Sequence, residues 1–128
     1  MADQTITPIT LTGRNVFKET AAASLAAQFA SLTDANNGVL TLSGPDDKYL
    51  LEIRPTSSSC IATIAAGDGL QASLGDLATS SLASGDEAFV VIESARFKHT
   101  HGADADVGKV RITMSASDTA SVRCFKLP

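Results

Sequence analysis

Tryptophan is missing from the chain, tyrosine occurs once, and cysteine occurs twice in 128 residues. Single-strand nucleic-acid binders present aromatic rings on which bases stack, and sugar-binding sandwiches use the same rings against the pyranose face. Neither platform is available here. Positive charge is also scarce: ten Lys and Arg stand against fourteen Asp and Glu, for a net charge of −4. The basic residues are scattered from Arg14 to Lys126 rather than clustered as phosphate recognition requires. No nucleic-acid partner is expected. No apolar run approaches the ~20 residues of a membrane-spanning helix, so no membrane partner is expected either. The opening MADQTITPIT has no basic region followed by a hydrophobic stretch. It does not read as a secretory signal, and synthesis in the cytoplasm is the expectation.

The two cysteines, Cys60 and Cys124, fall in apolar strand-like segments. Free cysteine behaves as a small hydrophobe, and two buried thiols are the simplest reading; a disulfide is not required in a domain of this length. A pair so far apart does not resemble a zinc site, which takes four ligands from local pairs. Catalytic signatures are equally thin. No serine sits in a Gly-x-Ser-x-Gly elbow, and both histidines lie in one segment, HTHGADADVG. Neutral imidazole and carboxylate are good metal ligands, so His99, His101, Asp104 and Asp106 are the candidate metal group, set against the reading of a solvated hairpin tip. The acidic turn Gly44 to Lys48 supplies two carboxylates, short of the six to eight oxygens calcium takes. No enzyme activity and no cofactor are expected.

What the chain does have is a 44% hydrophobic fraction with only 19% charged residues. Its surface must therefore be rich in Ser, Thr, Ala and Gly. Short side chains lose little entropy when covered, which suits a surface lying against another protein. Turn signals recur at short intervals: Gly13 to Asn15, Asn36 to Gly38, Gly44 to Asp47, Pro55 to Ser59, Gly67 to Gly69, Gly75-Asp76, Ser84 to Asp86, His101-Gly102 and Ser117-Asp118. Short apolar segments between them predict an all-β sandwich or barrel. Thr5 to Thr12 alternates. Tyr49, Leu51 and Ile53 share a face opposite Glu52 and Arg54; Cys60, Ala62 and Ile64 share another, as do Val110, Ile112 and Met114. Ala88 to Ile92 is continuously apolar and reads as a strand buried on both faces. The parity of apolar residues changes between Cys124 and Phe125, which predicts a bulge. Glu19 to Leu32 is Ala-rich with Leu25, Phe29 and Leu32 at helical spacing; a short helix near residues 19–32 is one reading, an edge strand and loop the other. Phe97 reads as core, and Arg96 as a partner for Glu93 or for another chain. Residues 1–35 read as an N-terminal arm with the first strand or strands, a segment suited to docking or swapping. Residues 36–128 form the sandwich body, and the whole is one domain.

The second half carries the segments YLLEIRPTSS, ATIAAGDG, GDLATSSLASGDEAFVVIESARF and GKVRITMSAS, and the chain ends in VRCFKLP. This series, over roughly residues 36–128, resembles small virion proteins of tailed bacteriophages. The GDL, ESARF and final Leu-Pro elements are the more specific ones. The resemblance implies an antiparallel β-sandwich, immunoglobulin-like or jelly-roll-like, that decorates the capsid. Its partner would be the major capsid protein, its place the capsid surface of the virion, and its form a homo-oligomer, with a trimer favoured. No catalytic residue is implied. Thr5, Ile6, Thr7 and Ile9 of the arm, whose Thr/Ile alternation suits strand addition to a neighbour, and His99 and His101 of the polar loop are the candidate contact residues. The alternatives are another virion component (tail tube, tail-tip or fibre protein) and a non-viral β-sandwich binding module.

Overall fold

The computed structural model describes residues 2–15, 26–43, 48–92, 94–101 and 107–128. These form two five-stranded sheets and one small two-stranded ribbon. The strands are β1 (Ala2–Ile6), β2 (Ile9–Thr10), β3 (Ala30–Thr33), β4 (Asn36–Thr41), β5 (Tyr49–Pro55), β6 (Ser59–Cys60), β7 (Ala62–Ile64), β8 (Leu77–Ala78), β9 (Leu82–Ala83), β10 (Ala88–Ile92), β11 (Lys109–Met114) and β12 (Thr119–Lys126). The first sheet runs β1-β4-β11-β7-β8. The second runs β10-β5-β12-β2, with β3 also on β12, and β6 pairs with β9. One helical turn, α1 (Ser94–Phe97), and two 3₁₀ turns, Ala26–Gln28 and Ala72–Leu74, complete the described residues.

The core follows from period-two alternation. Leu40, Ile64, Val110 and Ile112 of the first sheet meet Leu51, Ile53, Val122 and Cys124 of the second in one buried cluster. The predicted inward faces of β5, β6–β7 and β11 are all in it. The all-β, sandwich-like architecture stands, and among the described residues both parallel pairings, in place of the expected antiparallel ones, belong to the arm. β1 lies parallel to β4, with Ile6 opposite Leu40. The chain then crosses to the second sheet, where β2 lies parallel to β12 and Ile9 faces Phe125. Thr7 and Pro8 make that crossing, so the predicted single strand from Thr5 to Thr12 is two.

Several local expectations need correction. Asn36 to Gly38 is strand, not turn. The reversal falls one step earlier at Asp34-Ala35, where the Asn36 side chain accepts a hydrogen bond from the Thr33 amide (2.9 Å) and Thr33 Oγ1 accepts one from the Ala35 amide (3.2 Å). β12 has no bulge: its register against β5 is unbroken from Ala120 to Lys126, and Phe125 lies on the outer face, where the Arg123 guanidinium stacks 4.9 Å from its ring centroid. β10 is an edge strand with Phe89 and Val91 in solvent, not a strand buried on both faces. Of the 19–32 segment, residues 19–25 lie outside the described residues; Ala26–Gln28 is a 3₁₀ turn and Ala30–Thr33 is strand, with Leu32 in the core. The Gly44 to Asp47 turn also lies outside them.

Glu52 is the main surprise. Alternation places it on the outer face of β5, yet it is 1% exposed. Its Oε1 accepts from Arg54 Nε (3.0 Å) and its Oε2 from Arg123 Nε. Phe29, arriving with the segment before β3, covers both guanidinium groups, which lie 4.8 and 4.6 Å from its ring centroid. Gln28 Oε1 accepts from Arg123 (3.1 Å), and Glu87 meets Arg54 at 2.9 Å. A charge this deep persists because it is paired and its lone pairs are taken up.

Candidate interaction surface

The strand registers gather the longer connections at one end of the sandwich. β4, β7, β10 and β12 finish there, and β5 and β11 begin there. The Leu42 amide donates to the Gly108 carbonyl (2.8 Å), extending the β4–β11 ladder. Side-chain hydrogen bonds tie the sheets together at this end: the Ser43 amide donates to the Tyr49 hydroxyl (3.2 Å) and Lys126 Nζ to Ser43 Oγ (3.0 Å). The loop between β7 and β8, residues 94–101, the end of β1 and Leu127 all meet here.

The β7–β8 loop is built on α1. Its Gly67 amide donates to the Arg96 carbonyl (2.9 Å) and its Gln71 amide to the Ala95 carbonyl (3.1 Å). Only glycine fits this approach: a Cβ at Gly69 would stand 2.6 Å from the Ala95 carbonyl oxygen, and one at Gly67 would collide with that of Lys98. Arg96 returns the contact. Its Nε donates to the Gly75 carbonyl (3.0 Å) and its terminal nitrogen to that of Asp76 (3.2 Å), while its guanidinium lies 4.9 Å from the Phe97 ring centroid. Arg96 thus serves the loop's backbone; Glu93, its expected partner, lies outside the described residues. Phe97 is core, as expected.

Two carboxylates finish the loop. Asp76 Oδ1 accepts from the Ala66 amide (2.7 Å). Asp68 accepts from the Thr100 amide (2.6 Å), the Thr100 hydroxyl (2.9 Å) and the His101 amide (2.9 Å). These donors favour the charged form. The Thr100 amide contributes most, against some desolvation, and the Thr100 hydroxyl, the His101 amide and the His101 imidazole add to it; together they hold the Asp68 carboxyl down to about 2. Asp68, Thr100 and His101 juxtapose carboxylate, hydroxyl and imidazole, with Thr100 Oγ1 2.9 Å from His101 Nδ1. The carboxylate, however, is committed to three donors of the loop it holds. Asp34, Asp86 and Asp118 act alike, accepting from the amides of Ser117 (2.8 Å), Ala83 (2.9 Å) and Ile61 (2.9 Å).

This stapled loop presents Leu70, 98% exposed, and Leu74, 62% exposed. Leu70 borders an open groove of about 470 Å³ shared with Asp68, Ala95, Lys98, Thr100 and His101. Of the residues singled out from sequence, His101 is at this rim and exposed. His99 is half-buried: its amide donates to the Lys109 carbonyl (3.0 Å) and its carbonyl accepts from Gly108 (2.7 Å), extending the hairpin of β11. Asp104 and Asp106 lie outside the described residues, and among the described residues no three His, Cys, Asp or Glu side chains come together as a metal site. Thr7 and Ile9 are at the same end of the sandwich; Thr5 and Thr7 are exposed, Ile9 is half-buried and Ile6 is core. Both cysteines are free and buried. Burial pushes the Cys124 thiol up to about 12, and burial with the nearby Asp118 carboxylate raises that of Cys60. Sequence reasoning read Gly67 to Gly69 only as a turn and passed over Leu70 and Leu74. For Leu70 the signal was a leucine directly after a Gly-Asp-Gly turn, where a polar residue is the norm.

Among protein families, curated proteins and solved structures, nothing matches the chain.

Proposed function

We propose that this chain is a structural virion protein that attaches to the outside of a tailed-phage capsid through the loop end of its sandwich and stabilises the shell by protein–protein contacts. The observation that carries this reading is Leu70, held almost wholly in solvent by a loop tied down through the Ala66, Gly67 and Gln71 amides and the Asp68 and Asp76 carboxylates. A preorganised apolar side chain costs little further ordering on binding, and fully burying a leucine contributes ~1.5–3 kcal/mol. The segments that carry the resemblance support the reading from another side. AGDG, GDL and ESARF, distant in sequence, pack on one another through Gly67, Gly75 and Arg96, and the final Leu-Pro joins the same end through Leu127 and Lys48 (2.8 Å).

The major capsid protein is the proposed partner. Each copy adds a modest contact between neighbouring shell subunits, and many copies on one shell sum by avidity. The test is fractionation of purified virions into heads and tails with quantitative mass spectrometry, together with add-back of the purified chain to heads that lack it. The expected result is many copies in the head fraction and restored resistance to heat. Recovery in the tail fraction alone rejects the proposal.

A further inference from the structure

The seat of the arm is shaped for one strand sequence. β1 closes one side of the first sheet against β4, and β2 ends the second against β12. Among the described residues of the arm only Ile6 is buried. It enters the core beside Leu32, over Gly38: a Cβ at Gly38 would stand 2.9 Å from Ile6 Cδ1 and 2.8 Å from Leu32 Cδ1. Glycine at this point of β4 leaves the hole that the Ile6 side chain fills. Arg111 on β11 meets Asp3 at 3.1 Å, and the Lys126 carbonyl accepts from the Leu11 amide (2.9 Å). Between these points the grip is looser. Both pairings are parallel, slightly less stable per residue than antiparallel ones. The crossing at Thr7-Pro8 borders an open groove of about 330 Å³ facing Ala27 to Ala30.

We infer that the arm is an exchangeable strand: residues 2–12 of one copy occupy the seat of a second copy of this chain. What fits the seat is fixed by the chain's own sequence, through the Ile6 plug over Gly38 and the Asp3–Arg111 pair. The exchanged form contains the same contacts as the closed one, so reach and concentration decide between them. Thirteen residues separate Thr12 from Ala26. Fully extended they span at most ~43–47 Å, enough to cross to a touching copy of a domain ~36 Å wide. A released arm remains extended. Pro8 fixes its own φ and holds Thr7 in the β region, and the β-branched Thr5, Ile6, Thr7 and Ile9 favour the same conformation. The chain's own arm acts at ~mM effective concentration. A dilute chain therefore keeps its arm, and copies crowded to ~mM trade theirs. Arm and seat are different surfaces, so exchange closes as a reciprocal pair or a ring of copies.

The test uses the full chain alone, so its outcome is independent of any capsid. Asp3 lies opposite Asn37 in the β1–β4 register, and Thr41 ends β4 ~13 Å further along. Native Cys60 and Cys124 are buried in the folded chain. Asp3→Cys and Asn37→Cys proteins are unfolded together in urea with reductant, refolded together at about 20 µM to 2 mM, and only then oxidised. A mixed disulfide requires the arm of one copy in the seat of the other. Its yield is expected to rise with concentration. At about 2 mM it is expected to be at least tenfold that of Asp3→Cys mixed with Thr41→Cys. Ile6→Ala in the Asp3→Cys chain is expected to cut the yield at least fivefold, and Ile6→Val to restore most of it. A yield no greater than that of the Thr41→Cys mixture at about 2 mM overturns the inference, as does a yield unmoved by Ile6→Ala.

Discussion

Removing the Glu52 carboxylate by Glu52→Ala leaves two guanidinium groups beneath Phe29 with their shared counter-charge gone. Breaking a buried pair by deleting one partner costs ~3–5 kcal/mol. Two features lower that range here. Arg54 retains Glu87 at 2.9 Å and its side chain is 39% exposed, so solvent screens it. Arg123 retains Gln28 and the rings of Phe29 and Phe125, with its side chain 15% exposed. A loss of ~2–4 kcal/mol is expected, which for a domain of this size lowers the melting temperature by roughly 10 °C. Glu52→Gln, which keeps the shape and one acceptor oxygen, is expected to lose about half as much, Arg123→Ala to fall close behind Glu52→Ala, and Arg54→Ala to lose only ~1 kcal/mol because its pair is partly exposed. Urea denaturation at equilibrium, read by circular dichroism with the slope checked for constancy, measures all four. A Glu52→Ala loss below ~1 kcal/mol, or an Arg54→Ala loss as large as that of Glu52→Ala, refutes the buried cluster as described.

Other outcomes follow from the loop end and the core. Asp68 has its folded carboxyl lowered from 3.8 to about 2, so its contribution is fully present above pH ~3.8 and is lost as the pH falls through about 2; amide exchange at Thr100 and His101 is expected to stay slow at pH 5 and rise below pH ~2, and Asp68→Asn is expected to remove that step. Gly67→Ala forces the loop off α1 and is expected to cost ~1–3 kcal/mol in denaturant melts, with the backbone resonances of Arg96 and Lys98 shifting most. Cys60 and Cys124, both buried with raised thiols, are expected to resist thiol reagents at neutral pH until the chain unfolds; rapid labelling of the native protein contradicts their placement.

The inward faces of β5, β7 and β11 were legible because alternation of Tyr49, Leu51 and Ile53, or of Val110, Ile112 and Met114, reports a single buried face directly. β10 was not: five consecutive apolar residues look the same whether a strand is covered on both faces or stands at an edge, and only its neighbours decide. Glu52 was hidden for a related reason. Period-two reasoning assigns it outward correctly, but the cover supplied by Phe29 arrives from a segment 23 residues earlier, which strand periodicity does not address. Phe125 looked like a register change because its outward position is made apolar by stacking with Arg123. The turn at Asp34-Ala35 was displaced because asparagine signals both turns and the residues that cap them. At the loop end, His101 was visible as a polar tip, whereas the aspartates that staple the loops looked like ordinary surface charge until their amide donors were located.

The most direct measurement of whether the stapled loop is the working surface is quantitative binding of the chain to heads that lack it, comparing the native chain with Leu70→Asp. Leu70 is too exposed to support the fold, so both proteins are expected to melt within ~0.5 kcal/mol of each other. Saturable binding by the native chain and at least a tenfold loss for Leu70→Asp is the outcome expected. Equal binding by the two, or no binding by either, contradicts it.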